Sequence, residues 1–287
     1  MTRDFREALA QLVQHHAGGP GWTVTRMQNS GTHSAFVART PGRQLFLKCP
    51  TDIRPLRRLA ELGVVPPIVA TGHLNGLPFL LQHWGSGAAP DRAWLGTHAG
   101  DVITLMATYH RDQQLRKALT STVTLTVEEQ RVADLRNIRE SFAATTDSGF
   151  RQPQVRQAVG RFLDRGPAMQ LNPLVATHGD PNPQNFLVSR SGFTLIDWDG
   201  AALSDPLRDV APLLWWFIPP ARWPDLLPGH GSDLIADRHA IQWWAARASL
   251  LVAIWLDSHG GDHRRLGSFL TDFLAAESGA GNPHQPR

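Results

Sequence analysis

His178-Gly179-Asp180-Pro181-Asn182-Pro183-Gln184-Asn185, followed by Leu195-Ile196-Asp197-Trp198-Asp199, is the stretch that decides how this chain folds. Asp180 and Asn185 stand five residues apart, a spacing at which a tight loop turns both side chains into one cleft. Asp197 follows Asn185 by twelve residues, the length of one β-hairpin. Residues 186–188 and 193–196 read as its two strands, and Ser189-Arg190-Ser191-Gly192 as the turn. The hairpin is therefore expected to bring Asp197 back beside Asp180 and Asn185.

Two acids and an amide so placed suit phosphoryl transfer. A hydroxyl attacking a γ-phosphate needs a carboxylate to orient it and take its proton, and a triphosphate needs Mg²⁺ held by hard oxygen ligands. On this reading Asp180 is the base, and Asn185 and Asp197 are the metal ligands. The order D-x-x-x-x-N, apolar strand, Asp is also that of the protein-kinase catalytic loop and its metal-binding Asp. A short His-Gly-Asp string means little alone, and loop Asp and Asn are usually turn formers; it is the joint pattern that carries the reading.

His178-Gly179-Asp180 with Asn185, then Ile196-Asp197-Trp198-Asp199, Ser204-Asp205-Pro206 and Asp209-Val210-Ala211, resemble the aminoglycoside phosphotransferase family, which shares the protein-kinase-like fold with choline kinases. The strong match covers residues 174–214, and a weaker one extends over the N-terminal third. The resemblance implies a two-lobed α+β fold, with a small β-rich nucleotide-binding lobe over residues 1–83 and a larger helical catalytic and substrate-binding lobe over residues 84–287. It implies an ATP- or GTP-dependent kinase using Mg²⁺. The acceptor would be a hydroxylated small molecule, aminoglycoside-like or another antibiotic, with resistance as the consequence. Asp209 resembles the family Asp that anchors the catalytic loop through backbone hydrogen bonds, and His178 and Asp205 are assigned structural roles beside it.

The whole chain sets bounds on this reading. At 287 residues it can form one large domain or two modest lobes. Hydrophobic content of 42% with 18% charged residues is ordinary for a soluble globular protein. A formal charge of +3 argues against a nucleic-acid partner, which would require many more Lys and Arg on one face. The single cysteine, Cys49, excludes an internal disulfide and fits a reducing compartment. The N-terminus reads as an amphipathic helix and not a signal peptide, and no apolar run reaches the roughly 20 residues of a membrane span. A cytoplasmic monomer or homodimer is expected, with residues 277–287 frayed.

The first third reads as a leading helix over residues 4–16 and strands over 22–26, 34–39, 44–48, 68–72 and 77–82. In a kinase-like fold the loop holding Ser30, Gly31 and Thr32 would cover the phosphates, although its one glycine makes it no match to G-x-G-x-x-G. Lys48 ends the third strand, where kinases place a lysine on the α- and β-phosphates. Asp52 falls at the position of the usual Glu partner of that lysine, although it is a candidate helix cap as well. Gln82 and Trp84 fall in the segment that would bind the nucleotide base.

In the remainder, residues 99–111, 127–142, 152–163, 210–217 and 237–256 have helical spacing. Ser204 or Asp205 caps a helix start with Pro206 at its first position. His110-Arg111-Asp112 spells the protein-kinase catalytic triplet, but Lys117 stands where Asn is needed, so it reads as a helix end. Trp215, Trp216, Trp223, Trp243, Trp244 and Trp255 all lie in the last third. They serve helix packing, or some of them line an acceptor pocket by stacking or cation–π contact; Asp199, Trp216, Trp244 and Asp257 are the substrate-binding candidates. Two other functions stay open: a metabolite kinase acting on choline, an amino alcohol or a sugar, and a non-catalytic pseudokinase.

Overall fold

The computed structural model describes residues 3–27, 35–85, 87–120, 126–168, 172–190, 192–231, 234 and 236–283. The chain opens with α1 (Arg3–Ala17), β1 (Thr23–Arg26), β2 (Ala35–Thr40), β3 (Arg43–Lys48), α2 (Ile53–Glu61), β4 (Ile68–Leu74) and β5 (Leu77–His83). Next come α3 (Arg92–Thr97), α4 (Ala99–His110), α5 (Gln113–Thr120), α6 (Val127–Ala143) and α7 (Pro153–Arg165). The short strands β6 (Val175–Thr177), β7 (Phe186–Ser189), β8 (Gly192–Leu195) and β9 (Ala202–Ser204) precede α8 (Leu207–Phe217), α9 (Trp223–Leu226), α10 (Arg238–Ser258) and α11 (His263–Glu277). The fold is α+β and kinase-like. Its contacts divide it into two compact units, residues 1–90 with 183–198, and residues 91–182 with 199–287.

The first unit is built on an antiparallel sheet ordered β1-β2-β3-β5-β4. Two-residue turns set its registers: Leu74 pairs with Leu77 across Asn75 and Gly76, both at positive φ, as a type I′ hairpin requires. Alternation sends Leu45 and Leu47 of β3 to one face, where Leu9 and Val13 of α1 meet them with Phe36, Phe79 and Leu81. Phe46 and Lys48 fall on the opposite face. Burying Leu9 or Val13 contributes about 1.5–3 kcal/mol each. The β7–β8 hairpin also belongs to this unit: Leu195 N–H donates to Val64 O at 2.8 Å, and Ala88 and Val188 exchange backbone hydrogen bonds.

The second unit is helical, with α10 as its spine. This 21-residue helix packs on α8 and α11 and is buried along most of its length, which explains its nearly uniform apolar composition. Trp215, Trp223, Trp243 and Trp244 are buried and fill the helix contacts, whereas Trp255 is exposed. Strands β6 and β9 pair antiparallel, Val175 with Ser204 through Thr177 with Ala202, and bracket the motif segment. Three-residue strands carry too little period to be read from sequence. Among the described residues no helix is long and apolar enough to cross a membrane.

The C-terminal segment differs from expectation. Residues 277–283 are held, not frayed. The Glu277 carboxylate is 2% exposed and accepts from Arg161 Nε at 3.0 Å and Nη2 at 2.6 Å. Arg165 Nη1 reaches Glu277 O, Gln242 Nε2 donates to Gly279 O, and Asn282 Nδ2 donates to Trp215 O. Polar side chains, not apolar burial, tie the segment down, so its Gly/Pro composition was misleading. Glu277→Ala is expected to lower stability by removing the buried carboxylate that gathers both arginines, read as a fall in urea midpoint at unchanged m-value.

Candidate active site

Asp209, in the first turn of α8, is fully buried and gathers donors from two other segments. Its Oδ2 accepts from His178 N–H at 2.8 Å, Tyr109 O–H at 2.8 Å and His110 Nε2 at 3.1 Å, while Oδ1 accepts from Gly179 N–H at 2.8 Å. Burial works to raise its pKa, but the hydrogen bond and charge of His110, with His178 and Gly179, outweigh it and hold the carboxyl at about 2. Tyr109 is pushed well above its ordinary value by burial and by the Asp209 charge. Behind His110 lies His230, with Nδ1 of the first 2.7 Å from Nε2 of the second, so that one ring donates to the other. Burial, then the charges of His110 and Arg111, push His230 down to about 3.

That carboxylate fixes the backbone just before Asp180. Gly179 sits at φ +89, and a Cβ there would lie 2.5 Å from Arg208 Nη2 and 2.7 Å from Gly200 O, so only glycine fits. Asp180 N–H donates to His178 Nδ1 at 3.2 Å, Asn182 N–H donates to Asp180 O, and Asn182 Nδ2 donates to Asp180 Oδ2 at 2.9 Å. The Asp180 side chain is exposed at the tip of this turn. Arg208, one residue before Asp209, feels the Asp180 charge. Asp205 accepts from Leu207 N–H and from both the backbone and the side chain of Asn172. Burial, opposed by these hydrogen bonds, raises its pKa.

Asn185, Asp197 and Lys48 lie in the first unit. Ile196 N–H donates to Asn185 O at 2.7 Å, continuing the β7–β8 ladder one step and placing Asp197 next to that rung. Asn185 is buried and Asp197 exposed. Asp197 sits at φ +63, a left-handed conformation that costs an L-residue roughly 1 kcal/mol or more and is tolerated best by Asp and Asn. Lys48 is 8% exposed and pairs in the sheet with Ala35 and Leu80. The donor set fits Mg²⁺, which takes one or two side-chain oxygens and keeps water and phosphate for the rest. Among the described residues no cluster of three His, Cys, Asp or Glu forms an all-protein cage.

Other candidates hold varied places. Ser30, Gly31 and Thr32 lie outside the described residues. Asp52 caps α2 by accepting from Arg54 N–H, and it also binds the Arg54 guanidinium at 2.8 Å. Gln82 is buried with Nε2 on Pro66 O, and Trp84 is exposed with its N–H on Gln44 O. Asp199 is exposed in the turn after Trp198, and Trp216 packs edge-on to Phe269. Asp257 holds the turn after α6, accepting from Thr146 N–H, Thr146 O–H and Asp147 N–H. Trp244 is buried with the Arg247 guanidinium over its ring. The sequence marks His110 only as part of a helix end, and nothing beside Tyr109 or His230 in the chain signals the part they play at Asp209.

A kinase-like fold with an acidic turn locked by a buried aspartate defines a phosphotransferase. The chain belongs to the phosphotransferase enzyme family, which it matches over residues 17–244. Solved structures of similar fold include choline kinase LicA from Streptococcus pneumoniae, at 15% identity, TM-score 0.65, and coverage of 96% of this chain and 98% of that one. Macrolide 2'-phosphotransferase MphH from Brachybacterium faecium is similar at 18% identity and TM-score 0.62, over 99% of this chain and 100% of that one. Spectinomycin phosphotransferase APH(9)-Ia, solved with ADP and spectinomycin, is similar at 12% identity and TM-score 0.64, over 95% and 97%.

Two outcomes test this arrangement. Asp209→Ala strips the acceptor from His110 and two backbone amides, and is expected to cost about 3–5 kcal/mol or abolish folding, measured by denaturant titration. His230 has an ordinary value of 6.5 and a folded value of about 3, so the unfolded chain takes up a proton that the folded one refuses between those values. Stability conferred above pH 6.5 is therefore lost as pH falls toward 3, and His230→Gln is expected to flatten the fall of Tm over that window. Asp209 adds its own loss only lower, between 3.8 and about 2.

Proposed function

We propose that the chain transfers the γ-phosphoryl group of ATP or GTP to a hydroxyl of a small molecule. The carrying observation is the backbone clamp: Asp209 binds the amides of His178 and Gly179, and Asp180 is presented, exposed, on the next residue. Asp180 orients the acceptor hydroxyl and takes its proton as the new O–P bond forms. The bond from the γ-phosphorus to the bridging oxygen breaks, and ADP or GDP leaves. Lys48 places a positive charge on the phosphates. Asn185 and Asp197 would hold Mg²⁺, which when bound neutralises charge on the phosphate oxygens. Asn182, bound to Asp180 Oδ2, fixes the carboxylate's direction.

A nucleotide donor is supported by the similar fold of a phosphotransferase solved with ADP. An antibiotic hydroxyl, with resistance as its consequence, is one acceptor class. A metabolite is the second reading, and it has an observation of its own: three arginines line the cavity beside α6, α8 and α10, and its two aspartates are already engaged. A polycationic aminoglycoside would meet like charge there.

General-base removal typically costs 10²–10⁴ in rate. Asp180→Ala is expected to lose about 10²–10⁴ in kcat while keeping its fold by circular dichroism. The readout is Mg²⁺-dependent ADP or GDP release over a panel of antibiotics, hydroxy acids, amino alcohols, choline and sugars. A folded Asp180→Ala protein that turns over normally would sink the assignment.

A further inference from the structure

A cavity of about 70 Å³ lies in the second unit, walled by α6, the start of α8 and α10. It has room for a group on the order of two water molecules. Arg131, Arg208 and Arg247 line it, with Asp134 and Asp205 as its acids. The acids are already committed. Asp205 is taken by Asn172 and Leu207, and Asp134 forms a paired bond with Arg247, Nε to Oδ2 at 2.6 Å. Arg131 pairs with the exposed Glu128.

Arg208 is different. Among the described residues its guanidinium makes one long hydrogen bond, Nη2 to Gly200 O at 3.4 Å, and no ion pair, while its buried Nε has no partner. Burial and then the nearby Arg247 charge push its pKa down, and Asp209, Asp134 and Asp180 act back on it without contact. A half-buried cation whose Nε is shut off from both water and acceptors is costly, and an entering anion relieves that cost. Cationic ligands find no equivalent welcome, because the Trp244 face that would stack on an ammonium is covered by Arg247 at 5.3 Å. Position gives the cavity its link to the chemistry. Arg208 Nη2 lies against Gly179, the residue before Asp180.

We propose that this cavity is the anion subsite of the phosphoryl acceptor: the acceptor is a hydroxylated molecule carrying a carboxylate or similar oxyanion, which Arg208 binds with Arg247 beside it while the hydroxyl faces Asp180. Its role as an acceptor subsite rests on the phosphotransferase reading above; its affinity for anions does not.

The test measures binding and turnover separately on the full chain. Sulfate and glycerate, with glycerol as the uncharged control, are titrated at constant ionic strength and followed by the fluorescence of Trp243 and Trp244, which line the cavity. Mg²⁺-dependent ATP binding is measured on the same samples. Saturable binding of both anions but not glycerol is expected, weakened about 10-fold or more in Arg208→Gln. Leu174→Glu, which sets a carboxylate in the cavity wall and leaves every arginine in place, should abolish it. In the ADP-release panel, hydroxy acids should exceed their neutral amides by about 10-fold or more in kcat/KM. No saturable anion binding, anion binding unchanged in both variants, or equal turnover of acids and amides would each overturn the subsite while leaving ATP binding intact. Absence of ATP binding with anion binding retained would instead overturn the phosphotransferase reading, and the acceptor role with it.

Discussion

One carboxylate, that of Asp209, organises the turn of residues 178–180. An ionised group with no solvent exposure is expensive unless every lone pair is used, and Asp209 uses them on groups that have no other reason to meet. Two are backbone amides of the 178–180 turn, and two are side chains at the end of α4. The turn and the helix end are therefore held by the same charge. His230 extends the arrangement by one ring and stays neutral, so it adds no further positive charge to that branch. Gly179 completes it: the turn that donates two backbone N–H bonds to Asp209 has no space for a side chain at that position.

The motif segment shows why its residue types are written as they are. The glycine is a steric requirement, set by Arg208 and Gly200. Asn182 is an orienting donor to Asp180. Asp197 combines an exposed carboxylate with a backbone conformation that few residues other than glycine adopt, an outlier of the kind that collects where side chains must point out of a tight turn.

Much of this was legible in the order of residues, and the divide is physical. Strands with alternating burial, helices with a clear apolar face and turns with Asn-Gly or Pro-Gly were readable because their signal is local. The five-residue and twelve-residue spacings around Asn185 were readable because one hairpin makes them local too. What escaped depended on contacts between distant segments. His110 and His230 are 120 residues apart. The arginine cavity draws on three helices, none of which has an unusual charge pattern. Asp52 caps α2, one of the two roles its place in the chain suggests, whereas Asp257 holds a turn whose residues lie far from it in the sequence. The C-terminal residues looked like a loose end because polar anchoring leaves no periodicity.

The β7–β8 hairpin has a consequence for how the protein comes into being. It completes a unit whose other residues end at position 90, yet its own begin at 183. On a ribosome adding about 5–20 residues per second, the five-stranded sheet waits roughly 5–20 s before the hairpin that bonds to Val64 and Ala88 emerges. During that interval Val64 O and the backbone of Ala88 bond to water, and the apolar surface that the hairpin covers stays in the open although the five-stranded sheet is already complete. A chain ending before residue 183 would keep that surface open permanently.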